Sequence, residues 1–260
     1  MKVVVIGGTG LIGSKLIPKL QAHGDDAVAA SPDTGVNTLT GEGLADVLEG
    51  ASTVIDVSNS PSFEDRAVME FFTNSTRNLL SYERAAGVTH HVALSVVGTE
   101  RLGDSGYFRA KIAQENLIEG SGAPYSIVHA TQFFEFTERI ADDATQGDEV
   151  HLAPVAFQPM AADDVASAVS TVAGGSPLNA IVEVGGPEMF RLNEFVAHYL
   201  DATHDQREVV PDPDAGYAGA HLHELSLVPY VNARLGPTRF DAWLAQRAAA
   251  GGPSGGGWRR

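Results

Sequence analysis

Three side chains have the types and spacing for one proton transfer. Tyr107 and Lys111 frame the run Tyr107-Phe108-Arg109-Ala110-Lys111, and residues four apart share a helix face. Ser95 lies twelve residues before Tyr107, at the end of a strand-like run. A free tyrosine titrates near pH ~10, and an adjacent ammonium favours the phenolate and lowers that value. Tyr107 could then pass a proton to a carbonyl oxygen as a hydride reaches the carbon. Ser95 could hydrogen-bond and orient that oxygen. Taken singly, the three have plainer uses as a helix cap, a surface charge and a strand end.

A hydride needs a carrier, and the N-terminus offers a place for one. Gly7-Gly8-Thr9-Gly10-Leu11-Ile12-Gly13 follows the apolar run Lys2–Ile6 and opens a helical pattern. Glycine at 7 permits a tight turn, glycine at 10 lets the backbone approach a pyrophosphate, and glycine at 13 lets helix and strand pack closely. The phosphates would then meet the free N–H groups of the helix N-terminus. The next strand ends Ala29-Ala30-Ser31-Pro32-Asp33, and no lysine or arginine lies between Lys19 and Arg66. Ser31 could bond a ribose hydroxyl or a phosphate, and Asp33 could accept from the 2′-hydroxyl. The lack of local positive charge tilts the expected cofactor from NADP towards NAD.

These residues must be positioned by the elements around them. Lys2–Ile6, Ala27–Ala30, Thr53–Val57, His91–Val96, Tyr125–His129 and Ile181–Val184 read as strands. Leu11–His23, Gly43–Leu48, Phe63–Ala86, Tyr107–Glu119, Phe134–Ala144 and Asp163–Ala173 read as helices between them. Pro18 would kink the first helix. The alternation predicts an α/β doubly wound parallel sheet, whose ligands lie outside the C-terminal strand ends. Leu192–Leu200 and Phe240–Ala250 read as further helices, and 211–230 as loop. One dinucleotide-binding domain over 1–250 is expected, with a small substrate lobe from segments after about residue 130. Residues 251–260, rich in Gly and Ser, are expected to be a flexible tail.

Composition narrows the function classes. The chain has 260 residues, 33 acidic and 17 basic side chains, a net charge of −16 and no cysteine. Nucleic acid is not expected as a partner, since phosphate neutralisation needs a basic surface. Without cysteine there is no disulfide, thiolate metal site or cysteine nucleophile. No apolar run approaches the ~20 residues of a membrane span, and the strand-like start argues against a secretion signal; a cytoplasmic protein is expected. His221, His223 and Glu224 are too sparse for a metal site, so none is expected. His90-His91 reads as a surface pair, and Asp163-Asp164 as charges in a helix first turn. Phe133, Phe134 and Phe136 could line a pocket for a flat aromatic or quinone, or pack as core. The long helix 63–86 offers a surface through which copies could associate.

The Gly7–Gly13 turn, Asn74-Ser75-Thr76-Arg77-Asn78-Leu79-Leu80, His91-Val92-Ala93-Leu94-Ser95, Tyr107 with Lys111, and Tyr125 to Phe133 occur in this order. In this ordered set the chain resembles the short-chain dehydrogenase/reductase superfamily, and more closely its atypical, NmrA-like NAD(P)-binding branch. The resemblance covers about residues 1–190. It implies a Rossmann-type core and a dinucleotide touching Gly7, Thr9, Gly10, Leu11 and Ile12, with Ser58 and Lys111 near it. It also implies that Thr131, Gln132 and Phe133 border the nicotinamide and substrate. Phe136 joins Gln132 and Phe133 as an expected substrate contact. His129 stands where relatives often carry arginine, and Phe72 where extended members often carry an active-site asparagine.

Together these readings predict an NAD(P)-dependent oxidoreductase that reduces a carbonyl or quinone of a bulky, aromatic, polyketide-like small molecule. Two alternatives stay open: a dinucleotide-sensing regulatory protein without turnover, and a cofactor-assisted isomerase or oxygenase partner.

Overall fold

The structure is a computed structural model and describes residues 1–250. The expected tail at 251–260 lies outside the described residues. Strands β1 (Lys2–Ile6), β2 (Asp26–Ala30), β3 (Thr53–Asp56), β4 (His90–Val96) and β5 (Tyr125–Ala130) alternate with helices α1 (Leu11–Ala22), α2 (Leu44–Leu48), α3 (Asp65–Ala86) and α4 (Gly106–Glu119). Then come α5 (Thr137–Asp143), β6 (Thr145–Gln146), β7 (Glu149–Leu152), β8 (Ala156–Phe157), α6 (Ala162–Ala173) and β9 (Ile181–Gly185). The remainder is β10 (Phe190–Arg191), α7 (Leu192–Thr203), β11 (Glu208–Pro211), β12 (Arg234–Leu235) and α8 (Phe240–Ala249).

Seven strands form one parallel sheet in the order β12-β9-β5-β4-β3-β1-β2. Strand β1 pairs with β2 on one side and β3 on the other. The winding therefore reverses beside β1, and a crevice opens at that point in such sheets. The central strands are buried on both faces, which is why they read as unbroken apolar runs. One face packs Val3, Val5, Ile55, Val92 and Val128 against α1 and α6.

A separate core gathers Phe134, Phe157, Phe195, Phe240 and Tyr199 with Leu192 and Leu227. Its scaffold is α5, α7, α8 and two small sheets, β11-β7-β6 and β10-β8. These short strands escape sequence periodicity because two to four residues show no pattern. Fully burying such aromatic and aliphatic side chains contributes about 1.5–3 kcal/mol each.

Helix α1 includes Pro18. Two local expectations need correction. The helix expected over Phe134–Ala144 divides into a 3₁₀ turn at Phe134–Phe136 and α5; the Phe134 amide donates to Met160 O at 2.9 Å, a tertiary bond that competes with a helical start. His90 and His91 are buried, since β4 is central; His91 Nδ1 meets Glu83 at 2.8 Å and His90 Nε2 meets Ser126 Oγ at 2.8 Å. Asp163 and Asp164 do lie in the first turn of α6. Asp164 is nevertheless buried, accepting from Thr238 N and Oγ1, both at 2.9 Å.

Candidate active site

The glycine turn is built almost wholly from backbone. Gly7 takes φ +77°, the left-handed region where glycine is favoured. Its amide donates to Ala30 O at 2.9 Å, tying the turn to the end of β2. A side chain on Gly13 would place Cβ 2.3 Å from Gly7 O and 2.5 Å from Gly8 Cα. One on Gly8 would place it 2.7 Å from Ala29 Cα, so glycine at 8 is a further packing requirement. Gly10 differs, because a Cβ there meets only Gly7 O, at 3.3 Å. Its open side faces away from the protein's own packing. Gly10 caps α1, whose first turn has no side-chain cap and no acidic residue. Those N–H groups are left for an anion.

The other residues implied for a dinucleotide cluster at the same sheet edge. Ser58 lies under the turn, since a Cβ on Gly7 would sit 2.9 Å from Ser58 Cα. Thr9 Oγ1 approaches Asp33 Oδ2 at 3.5 Å, so Asp33 stands beside the turn. Leu11 and Ile12 pack on the core between α1 and the sheet, as does Phe133. Ser31, Thr131 and Gln132 are buried, and Ser31 Oγ, Thr131 Oγ1 and both amide atoms of Gln132 have no partner. An unpaired buried polar group costs about 1–3 kcal/mol. Ribose hydroxyls and a carboxamide are groups that satisfy such atoms. The open Gly10, the uncapped helix start and these orphaned atoms at the ends of β2 and β5 fit a dinucleotide.

The Ser95, Tyr107 and Lys111 set is divided. Ser95 is buried and gives its proton to Glu115 Oε1. The same oxygen meets His129 Nε2 at 3.0 Å. In this arrangement the single Ser95 proton is committed to Glu115 and is not offered to a substrate oxygen. Lys111 is 2% exposed; it donates to Leu94 O at 3.0 Å and to Gln114 Oε1. Gln114 in turn donates to Asp56 Oδ2 at 3.1 Å, and Asp56 Oδ1 takes Ser58 Oγ at 2.6 Å. A buried polar chain thus runs from the turn after β3 into α4.

The electrostatics follow from this placement. Burial pushes the Lys111 ammonium down to about 8, against the pull of Asp56 and Glu115. Burial would raise Glu115, but His129, Ser95 and Lys111 outweigh it and hold the carboxyl below its usual range. Tyr107 packs against Phe72 as well. The Phe72 ring meets Tyr107 edge-on at 6.0 Å, while Lys111 Nζ sits 4.4 Å from the centre of the Phe72 ring. Burial pushes the Tyr107 phenol up to about 12, and the charge opposing this is Arg139. Two of the three Lys111 donors are engaged inside, on Leu94 O and Gln114 Oε1.

Tyr107 instead belongs to an aromatic group that packs against the second core and against Val68 and Phe72 of α3. Phe63 lies 5.5 Å from its ring, and burial, with the nearby Tyr107 phenol, pushes the Tyr217 phenol up. Phe133 and Phe136 stack at 5.3 Å and are half-buried, whereas Phe134 is core. Gln114, Glu115, Phe63, Arg139 and Tyr217 were not singled out from sequence. Only Glu115 left a signal there, four residues after Lys111 on one helix face.

No family model matches the chain. A curated relative, photosystem II assembly factor Ycf39 of Cyanophora paradoxa, is 23% identical over 149 residues. That match covers 52% of this chain and 46% of the relative, so the chain spans about half the relative's length in it. Among solved structures, MoeE5 in complex with UDP-glucose and NAD aligns with TM-score 0.74 and 19% identity, over 96% of this chain and 100% of that one. A dTDP-4-dehydrorhamnose reductase of Clostridium acetobutylicum aligns with TM-score 0.71 and 13% identity, over 97% and 100%. The UDP-glucose 4-epimerase of Thermus thermophilus, in complex with NAD, aligns with TM-score 0.69 and 18% identity, over 99% and 95%. The chain shares the Rossmann-type α/β fold of these structures.

Proposed function

We propose that the protein is an NAD(P)-dependent oxidoreductase that reduces a carbonyl or quinone of a bulky, flat small molecule. The observation that carries this reading is the glycine turn, with Gly10 open, α1 uncapped and unpaired polar atoms on Ser31, Thr131 and Gln132. Gly7, Thr9, Gly10, Leu11 and Ile12 would hold the pyrophosphate end, with Ser31 and Ser58 beside it and Thr131 near the nicotinamide. When bound, the reduced cofactor supplies the hydride. Asp33 beside Thr9 favours a free 2′-hydroxyl, hence NAD over NADP.

Tyr107 is the proton donor in this reading. A phenol held neutral by burial can protonate a carbonyl oxygen as the carbon is reduced. Phe133 and Phe136, half-buried and stacked, would meet the substrate's planar face, with Gln132 at its edge. Relatives of this fold in complex with UDP-glucose make nucleotide sugars the second substrate class to screen.

A reading without turnover, as a dinucleotide-responsive binding protein, is favoured by one observation: Ser95 and Lys111 are both engaged internally. Tyr107→Phe separates the two. The oxidoreductase loses turnover by about 100-fold or more while NADH affinity holds. A binding protein shows no NADH consumption with any quinone, ketone or nucleotide sugar, and Tyr107→Phe changes nothing.

A further inference from the structure

Resting on Tyr107 as proton donor, we infer that the cation governing this tyrosine is Arg139 and not Lys111. Tyr107 packs against two aromatic rings, each carrying a cation. The Phe72 ring lies 6.0 Å from Tyr107 and 4.4 Å from Lys111 Nζ. The Phe63 ring lies 5.5 Å from Tyr107, and the Arg139 guanidinium stands 4.3 Å from its centre. The two cations differ in what they are free to do. Lys111 is enclosed, with two of its three donors on Leu94 O and Gln114 and its charge facing Asp56 and Glu115. Arg139 projects from α5 with its side chain 51% exposed, and its ion pair with Asp143 is a loose 3.4 Å contact.

The surroundings of Tyr107 leave Arg139 as the cation with a direct effect. From α3, Asp65 lies against Gly106 at the helix start, but it is paired with Arg109 at 2.7 Å. From the loop after β11, Tyr217 is a second phenol, itself influenced by Tyr107, Asp143 and Arg139. From α5 come Arg139 and Asp143. Arg139 is the charge that draws the Tyr107 phenol down against burial.

The chemical consequence concerns the state left after proton transfer. With hydride supplied to the carbonyl carbon by a bound reduced nicotinamide, Tyr107 would give its proton to the carbonyl oxygen. Tyr107 is left as phenolate until water returns a proton. A guanidinium across one ring stabilises that phenolate, the task the Tyr107 and Lys111 spacing would have given to the lysine. Arg139 acts through Tyr107 and is a positioning residue in this sense.

The test is to place a fluorotyrosine at position 107 and follow its ionisation by fluorine NMR. Arg139→Gln is expected to raise the midpoint by about half a unit, a partly screened charge effect. Arg139→Lys is expected to restore most of it, and Lys111→Gln to move it by less than about 0.2 units. An unmoved midpoint in Arg139→Gln, or a larger rise in Lys111→Gln, overturns the inference. Arg139 is exposed enough for its variants to fold, so this arm decides even where Lys111→Gln does not fold. The readout needs no turnover. A shift in Arg139→Gln with an active Tyr107→Phe would sink the proton-donor reading and leave the electrostatic pairing standing.

Discussion

The glycine turn and the Ser95, Tyr107 and Lys111 set meet the same sheet edge, yet sequence spacing determines only the first. In the turn the backbone is the functional part. Gly7, Gly8 and Gly13 answer a contact or a dihedral, Gly10 stays open, and no rotamer can undo either. In the set, function depends on where three side chains point, and buried neighbours decide that. Glu115 claims the Ser95 proton and Gln114 claims Lys111, while lysine and tyrosine each pack on Phe72. Residues that share a helix face need not share a site.

The sharpest way to break this contrast is inside the turn. Gly13→Ala drives Cβ into Gly7 O and Gly8, and overpacking of this kind costs about 3 kcal/mol. We expect a lowered melting temperature and loss of NADH binding. Gly10→Ala should keep the wild-type melt and bind NADH at least about tenfold more weakly, or about 1.4 kcal/mol. If both glycines behave alike, the division of structural and ligand-facing glycines is wrong.

On the other side of the comparison, Glu115→Gln removes the buried charge shared by Ser95, His129 and Lys111. Breaking such a network costs about 3–5 kcal/mol, measurable by urea unfolding. A wild-type midpoint would show that the network contributes nothing.

Lys111 gives a pH signature that the turn lacks. Its folded value of about 8 lies below the ordinary 10.5, so the unfolded chain holds more protons between these values. Stability attributable to Lys111 therefore rises with pH from 8 to 10.5, by up to about 3 kcal/mol. Lys111→Met should remove that rise. A rise that persists in the variant would assign it elsewhere. The smallest effect is at Asp33: Asp33→Ala should narrow the preference for NADH over NADPH by about threefold in parallel fluorescence titrations.

The parallel sheet was legible because its strands are buried on both faces and its turn carries positional glycines. The aromatic segment after β5 was legible only in part. Phe133 and Phe136 do stack beside the sheet edge, but Phe134 turns into the other core. Two kinds of signal were silent. The His91–Glu83 pair needs the position of α3 over β4, which no local pattern records. Arg139 reaches Phe63 across 76 positions of sequence, and only the packing of α5 brings it there. Long-range side-chain geometry is set by which cores close over which faces.

The most direct measurement is a titration of the protein with NADH and with NADPH, followed by nicotinamide fluorescence, with Gly10→Ala alongside. Saturable binding is expected, tighter for NADH and weakened in the variant. If neither nucleotide binds to demonstrably folded protein, the dinucleotide site and every functional reading built on it are contradicted.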